Sequence, residues 1–238
     1  MQLFYASQID GNRAVLTEEE SRHLKVLRKT PEEILHITDG KGYLYEARIS
    51  ETNTKSSRET FADIISSTLQ PRNRNYYLHL MIAPTKQNER MEWLLEKAIE
   101  TGLDKISFLQ TDNSEKTRIN MGRLEKIAIS AMKQSGEYYM PEIVEIKALK
   151  DVLETTDGKG LLMAHCYSEY PRFTLREQLL KNTENNICIM IGPEGDFSKK
   201  EVDTAQKKGI PGISLGNTRL RTETAGLYAC MACSILLK

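Results

Sequence analysis

The chain has 238 residues, 39% of them hydrophobic, enough to bury one large core or two small ones. Its 33 basic and 33 acidic side chains cancel, which excludes a protein held on nucleic acid by bulk charge but not local basic patches. No apolar run approaches the roughly 20 residues needed to span a bilayer, and the opening MQLFYASQIDGNR lacks the basic-then-apolar order of a secretory leader, so a cytoplasmic protein is expected.

From the N-terminus, residues 3–6, 32–39, 42–49 and 60–66 are short β-like runs, with Asp39-Gly40 and Gly42 supplying turn chemistry between two of them. Residues 18–28 (EEESRHLKVLR) have helical spacing through Leu24 and Leu27. Short strands with tight turns suit a small barrel. The polar stretch 70–75 (QPRNRN) breaks this pattern and is the candidate linker. From Tyr76 onward strands alternate with helices, as in a largely parallel α/β sheet. Strand-like runs cover 75–83, 104–110, 160–166 and 186–192. Helical patterns cover 88–101, with Met91, Leu94, Leu95 and Ala98 on one face, and 121–134. Four cysteines stand in apolar surroundings. The Cys230/Cys233 pair has no His or second pair near it, and therefore reads as core packing rather than a zinc or redox site.

The chemistry concentrates between residues 186 and 225. ICIMI is a continuous apolar run, as expected of a strand buried on both faces. It enters Gly192-Pro193-Glu194-Gly195-Asp196-Phe197, where glycines let backbone approach a ligand closely. Ser198 and Glu201 then form a capping-box pattern that starts a helix. ISLG is a second short strand, followed by the polar loop 217–222 and a final apolar helix. Two strand-end loops in a parallel sheet can form one ligand site, or they can be plain connectors. No P-loop, GxGxxG, nucleophile elbow or histidine metal spacing is present. His36 and His79 lie inside strand-like runs and read as structural, whereas His165 ends a strand beside the proposed site.

IGPEGDFS followed by LGNTRLRTETA resembles the RsmE family of 16S rRNA uridine methyltransferases, in the SPOUT superfamily. HLKVLR (23–28), EKAIETG (96–102) and AMKQS (131–135) resemble further signatures of that family in the same order, so the likeness spans nearly the whole chain. Two departures stand out. Asp196 occupies the last glycine of the family's GPEGG, and Gly136-Glu137-Tyr138 follows where the family commonly has an arginine. An aspartate suits a helix N-terminus, so the turn is expected to survive.

The resemblance implies a PUA-like β-barrel RNA-binding domain (1–71) and a knotted SPOUT α/β methyltransferase domain (72–238) that acts as a homodimer. It implies S-adenosylmethionine as cofactor and methylation of N3 of a uridine in 16S rRNA of the small ribosomal subunit. The alternatives are another RNA position, a ribose 2′-OH, or a non-catalytic RNA-binding module. On this view Ile191, Gly192, Gly195, Leu215, Gly216 and Leu220 hold the cofactor, with Thr224 and Ala225 as the floor. Arg221 stabilises charge developing on the uracil carbonyls, and Glu194 orients the base or takes its proton. Arg22, Lys25, Arg28, Arg72 and Arg74 are the candidate phosphate contacts.

Overall fold

The structure, a computed structural model, describes residues 1–52, 58–181 and 185–237. Two compact units are present. The first comprises Met1–Asn73 with Ile129–Met140, and the second Arg74–Ala128 with Pro141–Lys238.

In the first unit β1 (Leu3–Asp10), β2 (Arg13–Leu16), β3 (Ile34–Thr38), β4 (Tyr43–Thr52) and β5 (Thr60–Leu69) close into a barrel in the order β1-β2-β5-β4-β3. The β1–β3 pair that closes it is parallel and the other pairs are antiparallel. Inward positions recur with the two-residue period of a strand: Phe4 and Ala6, Ala14 and Leu16, Leu35 and Ile37, Tyr45, Ala47 and Ile49. The four residues of β2 are too few for their alternation to be read from sequence, and this strand was not expected.

Helix α1 (Glu18–Val26) starts at Thr17, whose hydroxyl accepts from the Glu20 amide. Its buried face is Glu20, Ser21 and Leu24. Leu27, expected to point inward, instead forms the C-cap and is 38% exposed, and Arg28 then turns the chain with φ of 55°. The buried Glu20 carboxylate is paired with Lys133, which lies in the part of α3 (Met121–Ser135) belonging to this unit.

The second unit is a seven-stranded sheet with β6 (Tyr77–Ile82), β7 (Lys105–Gln110), β8 (Glu142–Ala148), β9 (Leu161–Ala164), β10 (Phe173–Thr174), β11 (Asn186–Ile191) and β12 (Gly212–Ser214). Every pairing is parallel, in the order β10-β12-β9-β11-β6-β7-β8. β11 holds the central place, which is why residues 187–191 are all buried and all apolar. β8 was not expected: at the sheet edge it is only half-buried and carries Glu142, Glu145 and Lys147, so no apolar run announces it. α4 (Leu149–Thr155), β10 and α5 (Leu175–Lys181) were missed as well, each being seven residues or shorter.

The longer helices follow the sequence pattern: α2 (Asn88–Glu100) buries Met91, Leu94, Leu95 and Ala98, and α6 (Lys199–Lys207) and α7 (Thr222–Leu236) follow the two glycine loops. Cys188, Cys230 and Cys233 are buried and free, and burial pushes the thiols of Cys188 and Cys233 up to about 12, so neither is a thiolate near neutrality. Cys166 corrects the expectation of apolar surroundings for all four, because it is exposed. His79 is bonded to Ser107 Oγ at 2.8 Å, and burial depresses its pKa to about 4, in keeping with a structural role. Among the described residues no helix is long and apolar enough to cross a membrane.

Candidate active site

β11 delivers the chain into the turn Gly192–Ser198 at the carboxyl edge of the sheet. Gly192 is buried against Phe197, and a Cβ there would lie 3.1 Å from the Phe197 amide nitrogen and 3.2 Å from its ring. The turn is closed by the Asp196 amide donating to Pro193 O at 3.0 Å. Asp196 adopts φ of 64°, a left-handed conformation that suits glycine and is tolerated by aspartate. It does not cap α6. Its carboxylate accepts from the Phe197 amide at 2.8 Å and from the Cys166 amide at 2.7 Å, which ties the loop after β11 to the loop after β9.

The cap of α6 is Ser198, with the full capping box that its sequence predicts. Glu201 accepts the Ser198 amide at 2.7 Å and, through its other oxygen, the Asp112 amide at 2.8 Å. Ser198 Oγ donates to Asp112 Oδ2 at 2.6 Å, and Asn113 Nδ2 donates to Asp196 O at 3.0 Å. The loop after β7 is thereby fastened to the same turn.

The second loop is held far less. After β12, Ser214 Oγ bonds the backbone of Gly216 locally, and Gly216 has φ of 133°. Arg221 is the N-cap residue of α7 but supplies no side-chain cap, and Ala225 N bonds Arg221 O to open the helix.

A cavity of about 540 Å³ lies between these loops, within the range of roughly 300–1,000 Å³ usual for small-molecule sites. Ile191, Gly192, Gly195, Leu215, Gly216, Leu220, Ala225, Glu194 and Arg221 all line it. Thr224 does not. It is exposed, and Thr222 stands at the wall instead. At 100° per residue, Thr222 and Ala225 share one face of α7 while Thr224 points away. Glu223, next to Arg221 in sequence, faces Arg90 at 3.7 Å, so it does not neutralise Arg221. Among the described residues neither Arg221 nor Glu194 has an ion pair or side-chain hydrogen bond, and both are exposed at the cavity.

The wall also contains residues that were not among the candidates. His165, Cys166 and Arg172 come from the loop after β9, Ser214 from the end of β12, and Thr218 and Arg219 from the loop that follows it. His165 had a signal, as a histidine at the end of a strand that a parallel sheet places beside β11. Arg172 had none, because nothing local marks where the loop between β9 and β10 returns.

The five basic candidates divide. Arg22, Lys25 and Arg28 are exposed on or just after α1, and Arg72 is exposed with its guanidinium 4.3 Å from the Tyr139 ring centroid. Arg74 is committed elsewhere. It bonds the buried Asp104 at 2.8 and 3.4 Å, and Asp104 in turn accepts the Leu78 amide. With only 12% and 1% of the two side chains exposed, this pair anchors β6 and leaves Arg74 no role at the surface.

Comparison with known proteins agrees with this architecture. The RNA methyltransferase domain family matches residues 72–234, and the RNA methyltransferase PUA domain family matches residues 16–57. The ribosomal RNA small subunit methyltransferase E of Buchnera aphidicola is 31% identical over 97% of this chain and 91% of its own length. A probable rRNA-methyltransferase of Porphyromonas gingivalis has a structure that superposes with a TM-score of 0.88 and 37% identity, covering 100% of this chain and 98% of that one. The ribosomal RNA small subunit methyltransferase E of Neisseria gonorrhoeae, bound to S-adenosylmethionine, superposes with a TM-score of 0.82 and 25% identity, covering 99% of this chain and 98% of that one.

Proposed function

Because the chain belongs to the ribosomal RNA small subunit methyltransferase E family, we propose that it methylates N3 of a uridine in 16S rRNA, with S-adenosylmethionine as methyl donor. The observation that carries this is the convergence of IGPEGD and LGNTRLRTETA on one cavity, with Arg221 and Glu194 both at its wall and both unpaired among the described residues.

The residues present fit such a cofactor. Ile191, Leu215, Leu220 and Ala225 offer apolar walls, and Gly192 has no room for a side chain. When bound, the cofactor supplies an already electrophilic methyl group. The protein's own tasks are then to align the uracil and to manage the N3 proton. Arg221 presents a planar fork of donors to the uracil carbonyl oxygens as negative charge builds there. Glu194 takes the N3 proton or orients the base through its free carboxylate.

The same reading extends to the rest of the molecule. Residues 1–71 serve as the RNA-holding domain, with Arg22, Lys25, Arg28 and Arg72 on phosphates, and residues 72–238 as the methyltransferase domain. The C-terminal segment is knotted, as the family resemblance implies. The enzyme is a cytoplasmic homodimer, as suits a ribosomal substrate. Tyr228, Met231 and Ile235 make an exposed apolar stripe on α7 that supports the dimer.

Mass spectrometry of 16S rRNA from cells lacking the protein tests the activity. The expected result is loss of one N3-methyluridine, restored by purified enzyme on small subunits. An unchanged base accompanied by loss of a different methylation or of a ribose 2′-O-methyl group would overturn the assignment of position. No change in any methylation would leave a non-catalytic RNA-binding module. Light scattering of the purified chain tests the dimer.

A further inference from the structure

The loops after β6 and β7 flank the turn Gly192–Ser198 and carry two cations, Lys86 and Lys116. β6 lies next to β11 in the sheet, with Ile82 opposite Ile191, and the Ala83 amide donates to Ile191 O at 3.0 Å. The loop after β6 therefore leaves the sheet alongside Gly192–Glu194. Its start is fixed: Ala83 and Thr85 are fully buried, and Thr85 Oγ1 donates to Gln87 O at 2.9 Å. Lys86 stands between them and α2 with 62% of its side chain exposed, and its Nζ meets Glu115 Oε2 at 2.7 Å. Lys116, from the loop after β7, braces this arrangement by bonding Lys86 O at 3.5 Å and Asn88 Oδ1. Asn113, in the same loop, donates to Gly195 O at 3.3 Å. Both loops are thus tied to the turn that carries Glu194.

We propose that Lys86 is a substrate-contact residue at the mouth of the cavity, exchanging Glu115 for a backbone phosphate of the RNA whose base enters beside Glu194. The inference rests on the reading of this cavity as an RNA methyltransferase site. The Lys86 ammonium is charged near neutrality, its pKa raised chiefly by the Glu115 carboxylate and in smaller part by Glu194. Glu194 is therefore close by without being its partner. An exposed lysine–carboxylate pair contributes little to stability, so an arriving anion displaces Glu115 at little cost. Phosphates are the anions that reach this edge when a base is placed between Glu194 and Arg221, and phosphate contacts fix register without reading sequence. A lysine suits that task, as a compact charge on a flexible stem.

Binding of the full chain to purified small ribosomal subunits over a range of salt concentrations tests this, alongside methyl-transfer kinetics. For K86A we expect about a tenfold loss of affinity and a salt slope smaller by about one, the signature of one lost phosphate contact. Its KM for subunits should rise by more than its kcat falls. K86R should keep most of the affinity, and E115Q, which removes the competing carboxylate, should bind more tightly than the parent. Calorimetric affinity for S-adenosylmethionine and melting temperature should match the parent in all three variants. The inference is overturned by a K86A that binds subunits with the parent's affinity and salt slope, or by equal losses in K86A and K86R. A K86A that loses cofactor affinity overturns it too, by placing Lys86 in the cofactor site. So does a K86A in which only the pH profile of kcat moves, which would make Lys86 a modulator of Glu194. An E115Q that binds more weakly than the parent overturns the exchange. A parent that binds subunits but transfers no methyl group overturns the proposed function, while the binding comparison still decides the role of Lys86. A parent that does not bind subunits overturns both.

Discussion

The two loops that form the cavity are built on opposite principles. The loop after β11 is fastened repeatedly to its neighbours: by Asp196 to Cys166, by Asn113 to Gly195 and Asp196, by Tyr167 to Phe197, and by Ser198 and Glu201 to Asp112. The loop after β12 has only the local Ser214–Gly216 bonds and enters α7 with no side-chain cap. Fixed backbone is what a cofactor cradle needs, since small errors in alignment are costly to transfer chemistry. The sparsely tied loop carries Arg219 and Arg221, whose guanidinium groups stand unpaired among the described residues and available to a substrate. One loop frames, and the other presents charge.

Substitutions separate the two roles. R221A should give the largest effect, a 10²- to 10³-fold fall in kcat, on the order of 3–4 kcal/mol of barrier. Calorimetric affinity for S-adenosylmethionine and the melting temperature should stay near the parent values. A folded R221A with full activity on ribosomal RNA would remove Arg221 from the chemistry.

E201A should do the reverse. It strips the acceptor from both the Ser198 and Asp112 amides, at a cost of about 2–3 kcal/mol in stability by denaturant titration. Cofactor affinity should fall as the cradle loosens, and E201Q should restore part of both.

D196G is subtler. It relieves a left-handed φ in a non-glycine residue but loses the two amide contacts, for a net destabilisation of about 1–2 kcal/mol. If D196G proved as stable as the parent, the tie between the loops after β9 and β11 would carry no weight.

S198A should cost about 1 kcal/mol, the usual value of an N-cap, with kcat unaltered. A comparable loss from T222A, at the start of the helix that lacks a side-chain cap, would erase the contrast between the loops.

Much of this was legible beforehand, and particular residues show why. Residues 187–191 read as a buried strand because a central parallel strand has no polar face to hide. Ser198 and Glu201 were legible as a capping box because that interaction closes within four residues. The short and edge elements were not, because β2, β10 and α4 draw their stability from neighbours rather than from any pattern of their own.

The sequence by itself determined much of what approaches the cavity, the glycine turn after β11 and the segment 215–225, both encoded by local backbone preference and short-range periodicity. Only the tertiary structure decided how individual side chains are used. Arg74 was an exposed-looking basic residue until its pairing with Asp104, 30 residues away, placed it inside. Asp196 looked like a residue favoured only by the nearby helix N-terminus until its carboxylate met the Cys166 amide. Thr224 gave way to Thr222 once the phase of α7 against the sheet was set, and His165 became a wall residue only when β12 brought Gly212 beside it. The physical reason is the same each time. Hydrogen bonds and ion pairs between residues distant in the chain depend on register and crossing order, which propensity and spacing do not encode.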